Sequence, residues 1–430
     1  MILDQHINFE QIAQKYGTPL YLYSGEVLEE NYDELRNKLH PSLELFFSLK
    51  SNPNISIYSF LKNLGARAEV SSLAELSTVL KCNTNPEDII FLGPGKKREE
   101  IERCINEGIY AIVCESFQEL ELINTIAGEL NKKVNIALRI NPSFTVKGSK
   151  LTMGGKSTQF GIDDEILMNK SEAYFSQFTH VTIIGFHTYM GTRILDENVV
   201  FENTRKILSN VEELSRKLNI ELKMVDIGGG LGVPYFDKET EINIERLTEM
   251  MNPLISDFRE KHPATRLMME LGRYLTAKSG IYITKALYTK RSRDENFIVA
   301  DGGTNHHMAA VGIGSFVKRN FPITLLTNKD GNTERMTYNI SGPLCTPNDT
   351  VAKKLELPLV SQGDLIGILN SGAYGPTASP TGFLSHGFPA EVLTYQGDQY
   401  LIRQRDDTEV ILERQCLHEV NMPEPAGVRR

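Results

Sequence analysis

Asp226-Ile227-Gly228-Gly229-Gly230-Leu231-Gly232 closes a short apolar run, Lys223–Ile227. Consecutive glycines let backbone N–H groups approach an anion closely, so this stretch is read as a phosphate cradle. It does not match the G-x-G-x-x-G of a dinucleotide fold, because Val233 stands where the last glycine belongs. Upstream lie six more runs with strand character: Leu43–Leu49, Ala66–Val70, Asp88–Leu92, Ile109–Cys114, Val134–Ile140 and Val181–His187. Arg266–Leu271 follows as the eighth. Helical segments such as Ser116–Leu130, Val199–Leu218 and Ile244–Lys261 separate most of them. Eight strand-then-helix units fit a (β/α)8 barrel, and near-continuous apolar runs suit strands covered on both faces. A doubly wound sheet uses the same local signals, but a phosphate site after the seventh and eighth strands is characteristic of barrels.

Beyond Thr276 the texture changes. Ile281–Leu287, Asn296–Ala300, Met336–Ile340, Asp364–Leu369, Ala390–Thr394, Gln399–Arg405 and Glu409–Glu413 read as strands with little helix between them. Gln396-Gly397-Asp398 is a hairpin-like turn. The expected fold is therefore an α/β barrel followed by an all-β domain.

The chain has 430 residues and a net charge of −9, which disfavours a nucleic-acid partner. Five scattered cysteines without a C-x-x-C pair suit a reducing compartment. The first residues carry no apolar signal segment, and no stretch approaches the ~20 apolar residues of a membrane span. A cytoplasmic protein with no membrane contact is expected.

Catalytic groups of a barrel stand at the C-terminal ends of its strands. Lys50 follows the first strand, in Phe46-Phe47-Ser48-Leu49-Lys50-Ser51-Asn52-Pro53. Glu69 ends the second, His187 the sixth, and Glu270-Leu271-Gly272-Arg273 the eighth. A lysine, carboxylates, an arginine and a glycine cradle then share one barrel mouth.

These blocks resemble the fold-type III pyridoxal-phosphate decarboxylases, the group containing diaminopimelate, ornithine and arginine decarboxylases. The likeness runs from Thr18-Pro19-Leu20-Tyr21-Leu22-Tyr23 to Pro389-Ala390-Glu391-Val392. It implies an alanine-racemase-like barrel over residues 36–275, with 1–35 and 276–430 forming a β-domain that contributes to the substrate site and dimer interface. It implies pyridoxal 5'-phosphate as cofactor, with Lys50 as its covalent anchor, Gly228, Gly229 and Gly230 at the phosphate, and Glu270 facing the pyridine nitrogen. Gly272 and Arg273 belong to the same eighth-strand block. Gly65-Ala66-Arg67-Ala68-Glu69-Val70 resembles the block after strand two, with Glu69 where Asp is usual. Ser371-Gly372-Ala373-Tyr374-Gly375 resembles the block whose tyrosine reaches the phosphate, and Gly342-Pro343-Leu344-Cys345 the block with the catalytic cysteine, donated across a homodimer. Cys345 is then the candidate proton donor to Cα. In His187-Thr188-Tyr189-Met190-Gly191-Thr192, Tyr189 stands where a stacking histidine is usual, and Thr192 where a phosphate-binding serine is.

The departures concern the substrate. Thr346 replaces the acid that pairs with a distal ammonium, and Ala309 stands where diaminopimelate enzymes carry an arginine. A neutral hydroxyl cannot replace a buried charge partner. His306 and His307 are polar groups near that position and are candidate substrate contacts; no metal site is expected. Together with Gly93-Pro94-Gly95-Lys96-Lys97, these features resemble the L-glutamyl-[acyl-carrier-protein] decarboxylases of butirosin biosynthesis. The implied substrate is a carrier-tethered glutamyl thioester in a specialised biosynthetic pathway, with an acyl carrier protein as partner. Lys96-Lys97-Arg98, Lys290-Arg291-Ser292-Arg293 and Lys318-Arg319 are candidate docking patches. The alternatives are a decarboxylase of free diaminopimelate or ornithine, a racemase, and a catalytically inactive regulatory homologue. Retention of Lys50, Glu270 and Cys345 speaks against the last.

Overall fold

The computed structural model describes residues 2–4, 7–145, 151–152, 154–311, 319–327 and 334–418. Eight parallel strands close a barrel: β2 (Leu43–Ser48), β3 (Arg67–Val70), β4 (Ile89–Phe91), β5 (Ala111–Cys114), β6 (Val134–Asn141), β7 (Val181–His187), β8 (Met224–Gly229) and β9 (Arg266–Leu271). They follow one another around the ring in chain order, and β2 pairs with β9 to close it, Leu43 opposite Leu267 and Phe47 opposite Leu271. Buried residues fill both sides of these strands, Phe46, Ile90, Ala111, Ala137, Met224 and Met268 forming one cluster of the core. That is why strands such as Ile89–Phe91 and Ala111–Cys114 read as unbroken apolar runs.

Helices cover the barrel. The longest, α7 (Glu197–Leu218), buries Val200, Thr204, Ile207, Val211, Leu214 and Leu218 along one stripe. It starts where Asp196 accepts a hydrogen bond from Asn198 N–H and stops at Asn219 in the left-handed conformation (φ 52°).

The second sheet runs β14 (Thr350–Pro358), β13 (Arg335–Ser341), β11 (Glu295–Ala300), β10 (Gly280–Ser292), β1 (Leu20–Ser24), β16 (Ala390–Tyr395), β17 (Asp398–Arg403); β15 (Leu365–Ile368) also pairs with β10 and carries β12 (Ile323–Leu325). The N-terminal β1 lies antiparallel to β10 and parallel to β16, so the chain starts in this sheet before entering the barrel.

The structure corrects three readings. Glu409–Leu412, within the segment expected as a strand to Glu413, lies in a short helix, Thr408–Leu412, because Asp407 caps it by accepting from Val410 N–H. The strand Thr350–Pro358 was not foreseen. The expected division at residue 35/36 falls inside α2 (Gly25–Lys38), which stays whole because its face of Leu28, Tyr32 and Leu35 packs into the barrel core. Among the described residues no helix is long and apolar enough to cross a membrane.

Candidate active site

The barrel mouth opens into a cavity of about 520 Å³. Lys50, Glu69, Arg139, His187, Tyr189, Thr192, Glu270 and Tyr374 line it. Lys50 sits in the helical turn Leu49–Ser51 directly after β2. Ser51 Oγ donates to Ser48 O at 2.9 Å, and Asn52 Nδ2 donates to Gly372 O at 3.0 Å. Tyr374 N–H donates to Ser51 O at 2.7 Å, so a loop of the β-domain is stitched to the turn that carries the lysine. Tyr374 holds φ +55°, an uncommon conformation for a bulky side chain that this stitching maintains.

The Lys50 ammonium is 3.3 Å from Glu69 Oε2 and 5.4 Å from the centre of the Tyr189 ring. Burial pulls its pKa down, but Glu69 and Glu270 outweigh that and hold it above the ordinary lysine range. Burial likewise pushes the Tyr189 phenol up, to about 12, against the pull of Lys50.

Opposite lies Glu270, whose Oε1 accepts from His187 Nε2 at 3.0 Å. Burial alone would raise this carboxyl; His187, Lys50 and Arg139 reverse the balance and bring it to about 2. Glu270 Oε2 is buried without a hydrogen-bond partner. An ionised, half-satisfied carboxylate on a cavity wall suits a ring N–H supplied by a ligand.

Gly228 and Gly229 end β8, and Gly230 follows them at the mouth. Gly228 and Gly230 have φ of +67° and +96°, which other residues rarely adopt. A Cβ on Gly229 would stand 1.6 Å from Glu270 O. Gly230, Gly272, Arg273, Thr192 and Tyr374 line a small recess that Lys50 also borders. Arg273 Nη1 donates to Tyr235 Oη at 2.9 Å, and its guanidinium lies 4.6 Å from the Tyr374 ring centre. The lysine, the open carboxylate oxygen and the glycine recess fit the three ends of pyridoxal phosphate: aldehyde, ring nitrogen and phosphate.

Other residues of the sequence reading stand elsewhere in the fold. Cys345 is exposed and Thr346 half-buried in a loop outside their own chain's cavity. Asp349 holds that loop, accepting from Thr304 N–H and Leu344 N–H at 2.8 Å each. His306 and His307, candidate substrate contacts, do not line the cavity: both are buried inside the β-domain. His306 Nε2 donates to Gly387 O at 3.0 Å, and His307 Nε2 is 2.8 Å from Ser371 Oγ. Their partners are structural groups of the domain: the Tyr282 ring packs against both imidazoles, and Tyr21 and Phe321 pack against His307.

Sequence reasoning missed the polar layer under the cavity wall. Arg139 pairs with Glu115 at 2.9 Å, both side chains under a tenth exposed. Lys96, read as a docking cation, has a side chain only 1% exposed. It donates to Glu119 Oε1 and Val113 O at 2.6 Å and to Gly93 O at 2.7 Å, fixing the Gly93–Lys97 loop as one wall of the cavity. An arginine inside an otherwise apolar strand was the available signal for Arg139. Of the other docking cations, Lys318 lies outside the described residues.

Residues 26–277 match the family model described as pyridoxal-dependent decarboxylase, pyridoxal binding domain. The chain is 36% identical to L-glutamyl-[BtrI acyl-carrier protein] decarboxylase of Niallia circulans, over 98% of this chain and 99% of that protein. It is 31% identical to the diaminopimelate decarboxylase of Aquifex aeolicus, over 95% and 94%. The crystal structure of diaminopimelate decarboxylase from M. jannaschii in co-complex with L-lysine superposes with a TM-score of 0.85 at 30% identity, covering 95% of this chain and 94% of that one. The matched segment contains the whole barrel and every cavity residue named above except Tyr374, so the chain belongs to the pyridoxal-dependent decarboxylases, lyases that use pyridoxal phosphate to remove the carboxyl group of an amino acid.

Proposed function

We propose that the substrate is an aminoacyl group, glutamyl in the first instance, held as a thioester on an acyl carrier protein. The observation that carries this reading is the 36% identity to a carrier-protein glutamyl decarboxylase across nearly the full length of both chains. Thr346 and Ala309 support it. Neither can pair with a charged distal end, and a thioester presents none.

In this reading Lys50 anchors the cofactor through its amine, and Glu270 Oε2 accepts the ring N–H. The Gly229–Gly230 turn, with the hydroxyls of Thr192 and Tyr374, would hold the phosphate, and Tyr189 would border the ring. Bound pyridoxal phosphate supplies an electron sink for the pair left behind by carbon dioxide. Glu270, ionised by its environment, keeps the ring nitrogen protonated. The thiol of Cys345 from a second copy of the chain then delivers a proton to Cα. The exposure of Cys345 on a loop held rigid by Asp349 supports its use in another subunit's cavity, and hence a homodimer.

For the carrier, the hairpin tip Lys290-Arg291-Ser292-Arg293 is the preferred docking patch. It is exposed, whereas Lys96 is buried and Arg98 is committed to Glu102 and Glu129.

The deciding experiment is mass spectrometry of a glutamyl-loaded carrier incubated with the holoenzyme. Loss of carbon dioxide from the carrier-bound group, with none released from free glutamate, diaminopimelate or ornithine, is the expected result. The 31% identity to a diaminopimelate decarboxylase supports a second reading, a free diamino acid as substrate. Carbon dioxide from free diaminopimelate and none from the loaded carrier would establish it.

A further inference from the structure

Asp226 stands in the middle of β8, two residues before the Gly228 turn, and is completely closed to solvent. Its Oδ1 accepts the Gly228 N–H at 2.8 Å, the bond that bends the chain into the left-handed Gly228 conformation. Its Oδ2 is buried with no partner. One donor atom each of Asp226, His187 and Glu270 lies within 4.8 Å of the other two. Two carboxylates this close in an interior cannot both ionise near neutral pH; one keeps a proton. Glu270 has the His187 hydrogen bond and the nearby Lys50 charge to hold it ionised, whereas Asp226 has a backbone N–H alone.

We infer that Asp226 is a positioning residue: a neutral carboxylic acid that braces the Gly228–Gly230 cradle and leaves the negative charge of the pair to Glu270. The groups that face it agree. Glu270 on β9 and Glu69 on β3 disfavour a second charge, and Lys50 after β2 is too committed to those two to offset it. Burial first, and Glu270 second, drive the Asp226 carboxyl well above its usual range. The division of labour follows from the geometry. A second anion here would compete with Glu270 for Lys50 and for the proton of the ring nitrogen, while a neutral acid shapes the turn through the same oxygen without altering the field.

The test compares Asp226→Asn with Asp226→Ala. Asparagine keeps an acceptor for Gly228 N–H and puts N–H donors where the acid carries O–H; alanine removes both. Pyridoxal phosphate affinity is measured by titration of the apoenzyme, and the visible absorption of the bound cofactor is followed against pH. The asparagine variant is expected to bind within about threefold of the parent with the same spectral pH midpoint, and alanine to weaken binding at least about tenfold. A midpoint moved by about one unit or more in Asp226→Asn would show that a charge was removed and overturn the inference. Parent-like binding by Asp226→Ala would overturn the positioning role. If alanine does not fold, the asparagine spectrum still decides where the proton sits.

Discussion

His187 Nε2 lies 3.0 Å from Glu270 Oε1, with both side chains closed to solvent. This contact spends one oxygen of the carboxylate inside the protein and leaves Oε2 for a ligand. A hydrogen bond to a charged group is worth about 1.5–3 kcal/mol, so His187→Ala is expected to bind pyridoxal phosphate about ten- to a hundredfold more weakly. The acid limb of stability should move as well. A carboxyl held down at about 2 contributes stability that is complete above the unfolded value of ~4.3 and is lost as pH falls through the folded value. Without His187 that loss begins at higher pH, which circular dichroism during acid titration measures.

Lys50 and Cys345 allow a test of subunit sharing. Each of Lys50→Ala and Cys345→Ala should lower decarboxylation at least about a hundredfold alone. If the cavity is completed by a second copy, mixed and re-equilibrated variants form heterodimers in which one of the two sites is intact. Activity then returns to about a quarter of the parent's. No recovery under conditions where subunits are shown to exchange would place both residues in one chain's site.

Gly229→Ala puts a methyl group against the carbonyl oxygen of Glu270, where 1.6 Å is available. Overpacking of this kind costs about 1–3 kcal/mol and displaces β9 together with the Glu270 carboxylate. Lower thermal stability and weakened cofactor binding are expected together. Gly382→Ala, where a Cβ meets nothing within 4 Å, is the matched control and should stay within about 0.5 kcal/mol of the parent.

Replacing Lys290, Arg291 and Arg293 by glutamate tests carrier docking. The substitutions sit on an exposed hairpin and should leave folding intact. KM for a glutamyl-loaded carrier is expected to rise about tenfold, with little change for a small glutamyl thioester. An equal effect on both substrates would remove the docking role.

Burial holds His307 down at about 3 and His306 at about 4, so both are neutral at pH 7. For groups with lowered folded values, the unfolded chain takes up protons first. Stability is therefore complete above the unfolded pKa of ~6.5 and falls as pH drops toward 4. His307→Gln should flatten the change in urea midpoint between pH 7 and 5. A midpoint difference equal to the parent's would mean that His307 does not contribute.

The legible parts of the fold share a physical cause. Barrel strands such as Ile89–Phe91 and Ala111–Cys114 are buried along their whole length and leave unbroken apolar runs in the sequence. The strand Thr350–Pro358 left no such trace. It is the last strand of its sheet, carries exposed Lys353 and Lys354, and Lys354 has φ +50°, which breaks the alternation. Lys96 reads as one of three adjacent surface cations, yet its burial depends on Glu119, 23 residues away on a neighbouring helix. Charge runs say nothing about which member points inward.

The sequence by itself determined which chemical groups stand at strand ends: the Lys50 amine, the Glu69 and Glu270 carboxylates, the glycines 228–230. Those placements are local, set by strand length and by the turn that follows. Tertiary structure decided that they meet. The pairing of β2 with β9, the first barrel strand with the last, brings the lysine turn and Glu270 to one mouth, and the docking of Tyr374 onto Ser51 adds the β-domain's contribution. It also decided which polar residues turn inward, because the burial of His187, Asp226, Arg139 and Lys96 depends on partners that chain closure brings together from distant positions.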